Sequence, residues 1–93
     1  MGDPYYGLYH SIIDGYGYKL FLGQSLDLQN WERVSLIDEH ASQGKVWVFD
    51  NGSYLLMYEV QDPRNSDNFI RLRYFMDMNA VKSGNYLKQK DIP

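Results

Sequence analysis

Apolar and polar residues alternate along most of the chain, which is the pattern of half-buried β-strands. No segment sustains the apolar spacing of about 3.6 residues that marks an amphipathic helix, and only residues 76–82 give a weak helical signal. The strand-like segments are separated by polar or glycine-containing stretches. Their predicted bounds are 5–12, 18–24, 31–36, 45–49, 53–60, 68–75 and 84–89. The pattern predicts an all-β fold.

Turn-forming residues divide these strands. The Asn51-Gly52 pair tolerates the positive φ angles of a tight turn, so the strands on either side of it give the strongest hairpin signal. Residues 13–17 contain an Asp-Gly pair and a second glycine, which favour a turn. The polar segments 37–44 and 61–67 are predicted as two longer loops.

Part of this pattern recurs after about fifty residues, a period typical of β-propeller blades. Residues 18–34 predict a strand, a polar turn and a second strand, and residues 70–86 predict the same order again. Ser25-Leu26-Asp27 match Asp77-Met78-Asn79 in this alignment. In a separate comparison of the preceding strands, Tyr6 and Leu8 match Tyr54 and Leu56.

Grouped in chain order, the strands form two four-stranded antiparallel meanders of the blade type, the first of which lacks its innermost strand. Residues 1–36 are predicted to form the incomplete blade and residues 37–93 the complete one. The chain is therefore predicted to be a single partial propeller domain.

Composition narrows the classes of partner. The chain has 93 residues and no cysteine, so it offers neither disulfides nor thiolate metal ligands nor a thiol nucleophile. Its net charge is −3 and its nine Lys and Arg residues are dispersed, which argues against nucleic acid as a partner. The chain has nine Tyr, two Trp and four Phe. Such aromatic side chains suit partly solvated surfaces such as sugar-binding faces, although strands also favour them for packing.

The sequence predicts no membrane partner. No apolar run approaches the roughly 20 residues that span a bilayer. The start at Met1-Gly2-Asp3-Pro4 has neither a basic region nor an apolar region of the signal-peptide type. We expect a soluble chain, and the sequence leaves its compartment open.

Two motifs resemble the blades of five-bladed β-propeller glycoside hydrolases, the superfamily of arabinanases, xylosidases and fructosidases. One is the Ser-x-Asp-Leu-x-x-Trp pattern that ends at Trp31, and the other is Trp47 followed by an Asn-Gly turn and an aromatic strand through Tyr58. The resemblance covers nearly the whole chain but only about two blades. It implies a protein associated with carbohydrate hydrolysis, in which two acidic residues cleave a glycosidic bond.

Departures from the family limit what the resemblance implies for this chain. The family's catalytic base lies in an Asp-Pro pair on an innermost strand, whereas Asp3-Pro4 precedes a segment predicted as a second strand. Asp50 belongs to the hairpin turn, so no catalytic role is assigned to it. A chain of two blades is not expected to be catalytic alone. Its open sheet edge is expected to pair in a homo-oligomer or with the remaining blades of a longer chain.

Propeller geometry assigns each polar residue to one of the two ends of the blades. One of these ends is the expected ligand face. Glu59, at the end of an apolar strand, is the candidate catalytic acid, because glycosidases use two carboxylates roughly 5 to 9.5 Å apart. Trp47 is a candidate platform for sugar stacking, although core packing is the commoner role for such aromatic residues. The other candidates near the ligand face are His10, Asp14, Asp38, Glu39, His40, Asp62 and Arg64.

Other chemistries find weaker support. His10 and His40 show no metal-ligand spacing, so no metal site and no cofactor are predicted. Each candidate carboxylate also has the simpler interpretation of a solvated loop residue. Two alternatives to an enzyme fragment remain open. One is a noncatalytic carbohydrate-binding or self-assembling β module, and the other is a small sandwich or barrel with no role in sugar binding.

Overall fold

The computed structural model describes residues 4–13, 17–64 and 67–93. Two positions considered above, Asp3 of the Asp-Pro pair and the candidate ligand-face residue Asp14, lie outside these ranges. The described elements are β1 (Tyr5–Ile13), β2 (Gly17–Ser25), β3 (Glu32–Glu39), β4 (Ala41–Val48), β5 (Tyr54–Gln61), β6 (Asn68–Phe75), α1 (Met78–Ser83) and β7 (Lys88–Ile92).

The strands form two antiparallel sheets. The first sheet has the order β1-β2-β3 and the second has the order β4-β5-β6-β7, so each strand pairs with its neighbours in sequence. The mostly-β prediction and the division into a three-stranded and a four-stranded meander are therefore confirmed.

The predicted loop at 37–44 is wrong. β3 continues to Glu39 and β4 begins at Ala41, so a single residue, His40, separates the two sheets. Ile37 and Ala41 are buried in the core, which draws this otherwise polar segment into the strands. The chain turns sharply because His40 has a φ of 55° in the left-handed region.

The last predicted strand is displaced as well. Residues 84–89 were assigned to it, but the strand is β7, which begins at Lys88. The weak helical signal before it is confirmed by α1. The Asp77 side chain accepts a hydrogen bond from the Ala80 N–H at the helix start, and Gly84 ends the helix with a φ of 76°.

The core lies between the two sheets. We call the faces that meet there the inner faces, and the opposite faces the outer faces. Leu20 and Leu22 of the first sheet and Leu56 and Tyr58 of the second are almost fully buried at this contact. Val81 of α1 completes the core at one end. Because residues alternate between faces along a strand, the inner positions also fix which residues lie on the outer faces.

The strand registers can be compared with the internal repeat of the sequence. Tyr6 lies opposite Gln24 and Tyr54 lies opposite Phe75, so the match of Tyr6 with Tyr54 also matches Gln24 with Phe75, 51 positions apart. The match of Ser25 with Asp77 spans 52 positions, so the two sequence matches differ from one another by one residue.

Tyr6 and Tyr54 both pack at the core, one from each sheet. Because side chains alternate along a strand, Tyr5 lies on the outer face of the first sheet.

The Ser25 to Trp31 turn shows why its motif needs these residue types. The Ser25 hydroxyl accepts hydrogen bonds from the N–H groups of Asp27 and Leu28 at 3.2 and 2.9 Å. Asp27 in turn accepts from the N–H groups of Gln29 and Asn30, and the bonds from Asn30 hold the pKa of this carboxyl well below its usual range. The motif is explained by the turn itself.

We expect Ser25→Ala to lower the free energy of unfolding by about 1–2 kcal/mol, because two turn N–H groups lose their acceptor. Ser35→Ala is the matched control. The Ser35 hydroxyl is buried without a hydrogen-bond partner among the described residues, so its removal is expected to cost less than about 0.5 kcal/mol. Urea unfolding followed by circular dichroism measures both changes. Equal losses in the two variants would contradict the role of the Ser25 hydroxyl.

Candidate functional site

The two ends of the sheets differ in character. At one end, which we call the link end, β3 passes into β4 at His40, and β5 joins β6. At the other end lie the Ser25 to Trp31 turn, the β4–β5 hairpin and α1. Those candidate site residues that the structure places at the link end are His10, Asp38, Glu39, His40, Glu59, Asp62 and Arg64.

Trp47 lies apart from this group. It pairs with Leu55 across β4 and β5 on the outer face of the second sheet, toward the hairpin end. Its side chain is 46% exposed. The structure therefore does not bring Trp47 together with the other candidates.

A cleft of about 230 Å³ opens at the link end, and we call it the polar cleft. It lies where the start of β4 meets the end of β5 and the start of β6. The Glu59 carboxyl group reaches it from β5, and His40 borders it from the strand junction. The residues that line it are Tyr18, His40, Ser42, Gln43, Glu59, Gln61 and Asn68.

Irregular backbone shapes one wall of the polar cleft. The pairing of β4 with β5 shifts register between Ser42 and Lys45, which is a β-bulge. Gln43, within this bulge, has a φ of 55°, as His40 does. Left-handed conformations of residues other than glycine cost energy and are found disproportionately at functional sites. Two of them border this cleft.

The irregular segment is fixed by contacts from both sheets. The Gln43 N–H donates to Nδ1 of His10 at 3.4 Å, and the Gln61 N–H donates to the His40 carbonyl at 2.8 Å. The rings of His10 and Tyr18 meet edge to face, with their centroids 5.2 Å apart. His10 therefore supports the wall of the cleft.

The chemistry of the polar cleft is that of neutral hydrogen-bonding groups around one acid. Among the described residues that line it, Glu59 supplies the only carboxylate. No hydrogen bond or ion pair among the described residues engages the half-buried Glu59 side chain. Amide, hydroxyl and imidazole groups surround it and can both donate and accept. Such a set suits a ligand rich in hydroxyl groups.

A second cleft, of about 380 Å³, adjoins the first across His40 and Gln61. It contains three of the candidate carboxylates, Asp38, Glu39 and Asp62. Each of these three carboxylates is already ion-paired within the protein.

The ion pairs of Glu39 and Asp62 form within the first sheet and within the β5–β6 loop. Lys19 Nζ lies 2.6 Å from Glu39 Oε1 and holds the pKa of that carboxyl below its usual value. Arg64 donates to Asp62 from its side chain and its backbone, which lowers the pKa of Asp62 to about 2. Arg64 and Asp62 therefore satisfy each other within the β5–β6 loop.

Asp38 joins the two sheets. Its Oδ2 accepts hydrogen bonds from the Tyr58 hydroxyl at 2.8 Å and from Arg71 Nη1 at 2.9 Å, and it lies 3.5 Å from Arg73 Nη2. Arg73 also donates to the Ile37 carbonyl at 3.0 Å. We call Asp38, Tyr58, Arg71 and Arg73 the inter-sheet cluster. Asp38 lies in β3 and not in a loop, and its contacts give it a structural role.

Sequence reasoning did not identify the neutral residues of the polar cleft. Tyr18, Ser42 and Asn68 reach it from three different strands, and no local spacing connects them. The arginines of the inter-sheet cluster did carry a signal. Arg71 and Arg73 stand two positions apart on one strand, so they share a face that must supply them with an acid.

Comparison of the chain with protein-family models, with curated proteins and with solved structures finds no match in any of the three. Within the described ranges, no three His, Asp or Glu side chains come close enough together to hold a metal ion. The part of the chain that the structure describes also has no helix with the length and apolar character needed to cross a membrane.

Proposed function

We propose that this chain is a pair of propeller-type blades that binds carbohydrate in the polar cleft and does not hydrolyse it alone. The observation that carries the proposal is the half-buried carboxylate of Glu59, unpaired among the described residues, in a cleft lined by neutral donors and acceptors. Sugar hydroxyl groups both donate and accept hydrogen bonds, so they match amides, hydroxyls and a carboxylate.

The strand order supports the blade interpretation. In a propeller, successive antiparallel meanders pack face to face, and the two sheets of this chain are consecutive meanders with the core between them. A self-contained sandwich packs two inner faces and presents polar outer faces to water. The outer face of the second sheet carries Met57 and Leu72 at its centre and Lys45, Lys88 and Lys90 on its edge strands. The apolar centre favours blades over a closed sandwich.

The carboxylates support binding without turnover. Hydrolysis of a glycosidic bond needs an acid and a second carboxylate at roughly 5 to 9.5 Å. Glu59 has no such partner among the described residues lining the polar cleft, and the nearby acids Asp38, Glu39 and Asp62 are engaged in ion pairs. In a larger assembly, Glu59 would be one member of the acid pair and the other would come from another blade.

Binding to arabino-, xylo-, fructo- and manno-oligosaccharides, measured by isothermal titration calorimetry, tests the proposal. We expect saturable binding to at least one of these series and no release of reducing ends. Glu59→Gln is expected to weaken that binding at least about 10-fold, because hydrogen bonds to a charged group contribute about 1.5–3 kcal/mol.

Asp50→Asn is the matched control, since Asp50 is an exposed acid in the hairpin turn at the other end. It is expected to leave the affinity unchanged. Absence of binding in all four series would overturn the proposal, as would equal effects of the two substitutions. Release of reducing ends that stops in Glu59→Gln would instead indicate an enzyme.

A further inference from the structure

The strand registers place charged and apolar residues in ordered rows on the outer face of the second sheet. Met57 alternates along β5 with the core residues Leu56 and Tyr58, so its row lies on the side away from the core. From β4 to β7, that row contains Lys45, Met57, Leu72 and Lys90. The next row toward the hairpin end contains Trp47, Leu55, Tyr74 and Lys88.

We call the eight residues of these two rows the lysine-bordered strip. Its middle strands, β5 and β6, carry half-buried apolar and aromatic side chains, and its edge strands carry exposed side chains. Neighbouring strands lie about 4.8 Å apart, so three spacings separate the backbones of Lys45 and Lys90 by about 14 Å. The strip is therefore an apolar centre two strands wide, with Lys45 and Trp47 on one border and Lys88 and Lys90 on the other.

The strip is positively charged although the chain as a whole carries a net charge of −3. It contains three lysines and no acidic residue. No hydrogen bond or ion pair within the described ranges engages Lys45, Lys88 or Lys90. The polar-cleft acid Glu59 lies in the adjoining row toward the link end, outside the strip. The fold thus gathers lysines from distant parts of the sequence around one apolar centre.

We propose that the lysine-bordered strip receives an amphipathic α-helix of a partner protein, which lies along β5 and β6 and carries acidic residues on both borders of its apolar stripe. An α-helix with its side chains is about 10–12 Å across, which fits between edge strands about 14 Å apart. The apolar stripe covers Met57 and Leu72, and the acidic borders face Lys45 and Lys90. The strip shares no residue with the polar cleft, so this contact holds or fails independently of carbohydrate binding.

The lysines distinguish a helix from the other occupants that an apolar centre could accept. A partner sheet four strands wide would cover Lys45 and Lys90 with its own outer strands, and burying an ammonium group without an acid is costly. A helix leaves the lysines at its sides, where their stems cover apolar surface and their ammonium groups stay in water. Single-stranded nucleic acid binds through bases stacked on aromatic rings, whereas Met57 and Leu72 between the facing lysines offer no ring.

The test is fluorescence anisotropy of a labelled, designed peptide titrated with the full chain. The peptide has about 18 residues, because a helix of that length matches an eight-residue strand of about 26 Å. It has a leucine stripe at helical spacing, glutamate on both borders of the stripe and glutamine elsewhere. A control peptide carries lysine in place of every glutamate. The glutamate peptide is expected to bind saturably and at least about 10-fold more tightly than the lysine peptide.

A second control peptide tests the requirement for a helix. It is the glutamate peptide with one central glutamine replaced by proline, which breaks an α-helix and leaves the leucines and the charges unchanged. It is expected to bind at least about 10-fold more weakly than the unbroken peptide, because helix interruption costs about 3 kcal/mol.

Exchanging the charges on the protein gives the decisive result. Lys45→Glu and Lys90→Glu are each expected to weaken binding of the glutamate peptide by about 3-fold, and the double variant by at least about 10-fold. The double variant is also expected to prefer the lysine peptide. Lys82→Glu makes the same change of charge on α1, where Lys82 Nζ lies 5.1 Å from the ring centre of Tyr6. This control is expected to keep the preference of the unchanged chain, and circular dichroism checks that every variant is folded.

The proposal is overturned if the unchanged chain binds the glutamate and lysine peptides equally, since the lysines then do not select the partner. Equal binding of the unbroken and proline-containing peptides would exclude a helix as the occupant. Failure of the glutamate peptide to bind would also overturn the proposal. In that case, flotation of the chain with phosphatidylserine vesicles and not with phosphatidylcholine vesicles would assign the strip to an anionic membrane surface.

Discussion

Replacing Asp38 with asparagine is expected to lower the free energy of unfolding by about 2–3 kcal/mol, although asparagine has nearly the same shape. Asp38 accepts from Tyr58 and Arg71 and lies 3.5 Å from Arg73, all three on the other sheet. Removing its charge leaves two guanidinium groups, 14% and 19% exposed, without their shared acid. Breaking a fully buried pair costs about 3–5 kcal/mol, and the residual exposure and other partners of these arginines reduce that figure.

Glu39→Gln is the matched control for this prediction, because it removes the neighbouring carboxylate. The Glu39 side chain is 59% exposed, and its pair with Lys19 lies at the surface. Pairs of this kind contribute little, so the loss is expected to stay below about 0.5–1 kcal/mol. Guanidinium unfolding followed by circular dichroism measures both variants. Losses that agree within about 0.5 kcal/mol would show that Asp38 does not hold the sheets together.

The sequence predicted the strand order because alternation is a local property. The hairpin around Asn51-Gly52 and the alternating β6 follow from neighbouring residues alone. Residues 37–44 were wrongly predicted as a loop because most of them are polar. Ile37 and Ala41 in this segment are buried in the core, and that burial depends on tertiary packing. In the last part of the chain, Asp77 and Gly84 were available as helix caps, and they would have moved the final strand toward its observed start.

The candidate site likewise contains residues that the sequence could predict and residues that depend on how the sheets pack. Topology alone places Glu59 and His40 at the same end, because a meander alternates its connections between two ends. The engagement of Asp38 by Arg71 spans 33 residues and depends on how the two sheets pack, which no local pattern encodes. The neutral groups of the polar cleft come from separate strands and depend on the bulge in β4. These residues could therefore be identified only from the fold.

The inter-sheet cluster and the polar cleft have complementary roles in this arrangement. The cluster fixes the first sheet on the second next to the single residue, His40, that connects them. His40 borders the cleft, so the position of its backbone depends on this fixation. We therefore expect Asp38, the acid of the cluster, to affect ligand binding through the geometry of the link end, and Glu59 to contact the ligand directly.

At alkaline pH, the protein is expected to lose stability through Tyr58. Burial, together with the charge of Asp38, raises the pKa of Tyr58 well above its usual value of about 10. Above pH of about 10, the unfolded chain releases this proton and the folded chain keeps it, so the folded state binds more protons and the free energy of unfolding falls. The slope approaches about 1.4 kcal/mol per pH unit above this usual pKa, so the loss by pH 12 is about 2–3 kcal/mol relative to neutral pH.

Tyr58→Phe isolates this contribution, because all other titrating groups are shared with the unchanged chain. Between pH 7 and pH 9, the variant is expected to be less stable by about 1 kcal/mol, the value of one lost hydrogen bond. The deficit should shrink above pH of about 10 and reverse before pH of about 12, where phenylalanine has no proton to release. Guanidinium unfolding at fixed pH values, followed by far-ultraviolet circular dichroism, gives the difference directly. A deficit that stays constant through this range would show that the Tyr58 proton is not held by the fold.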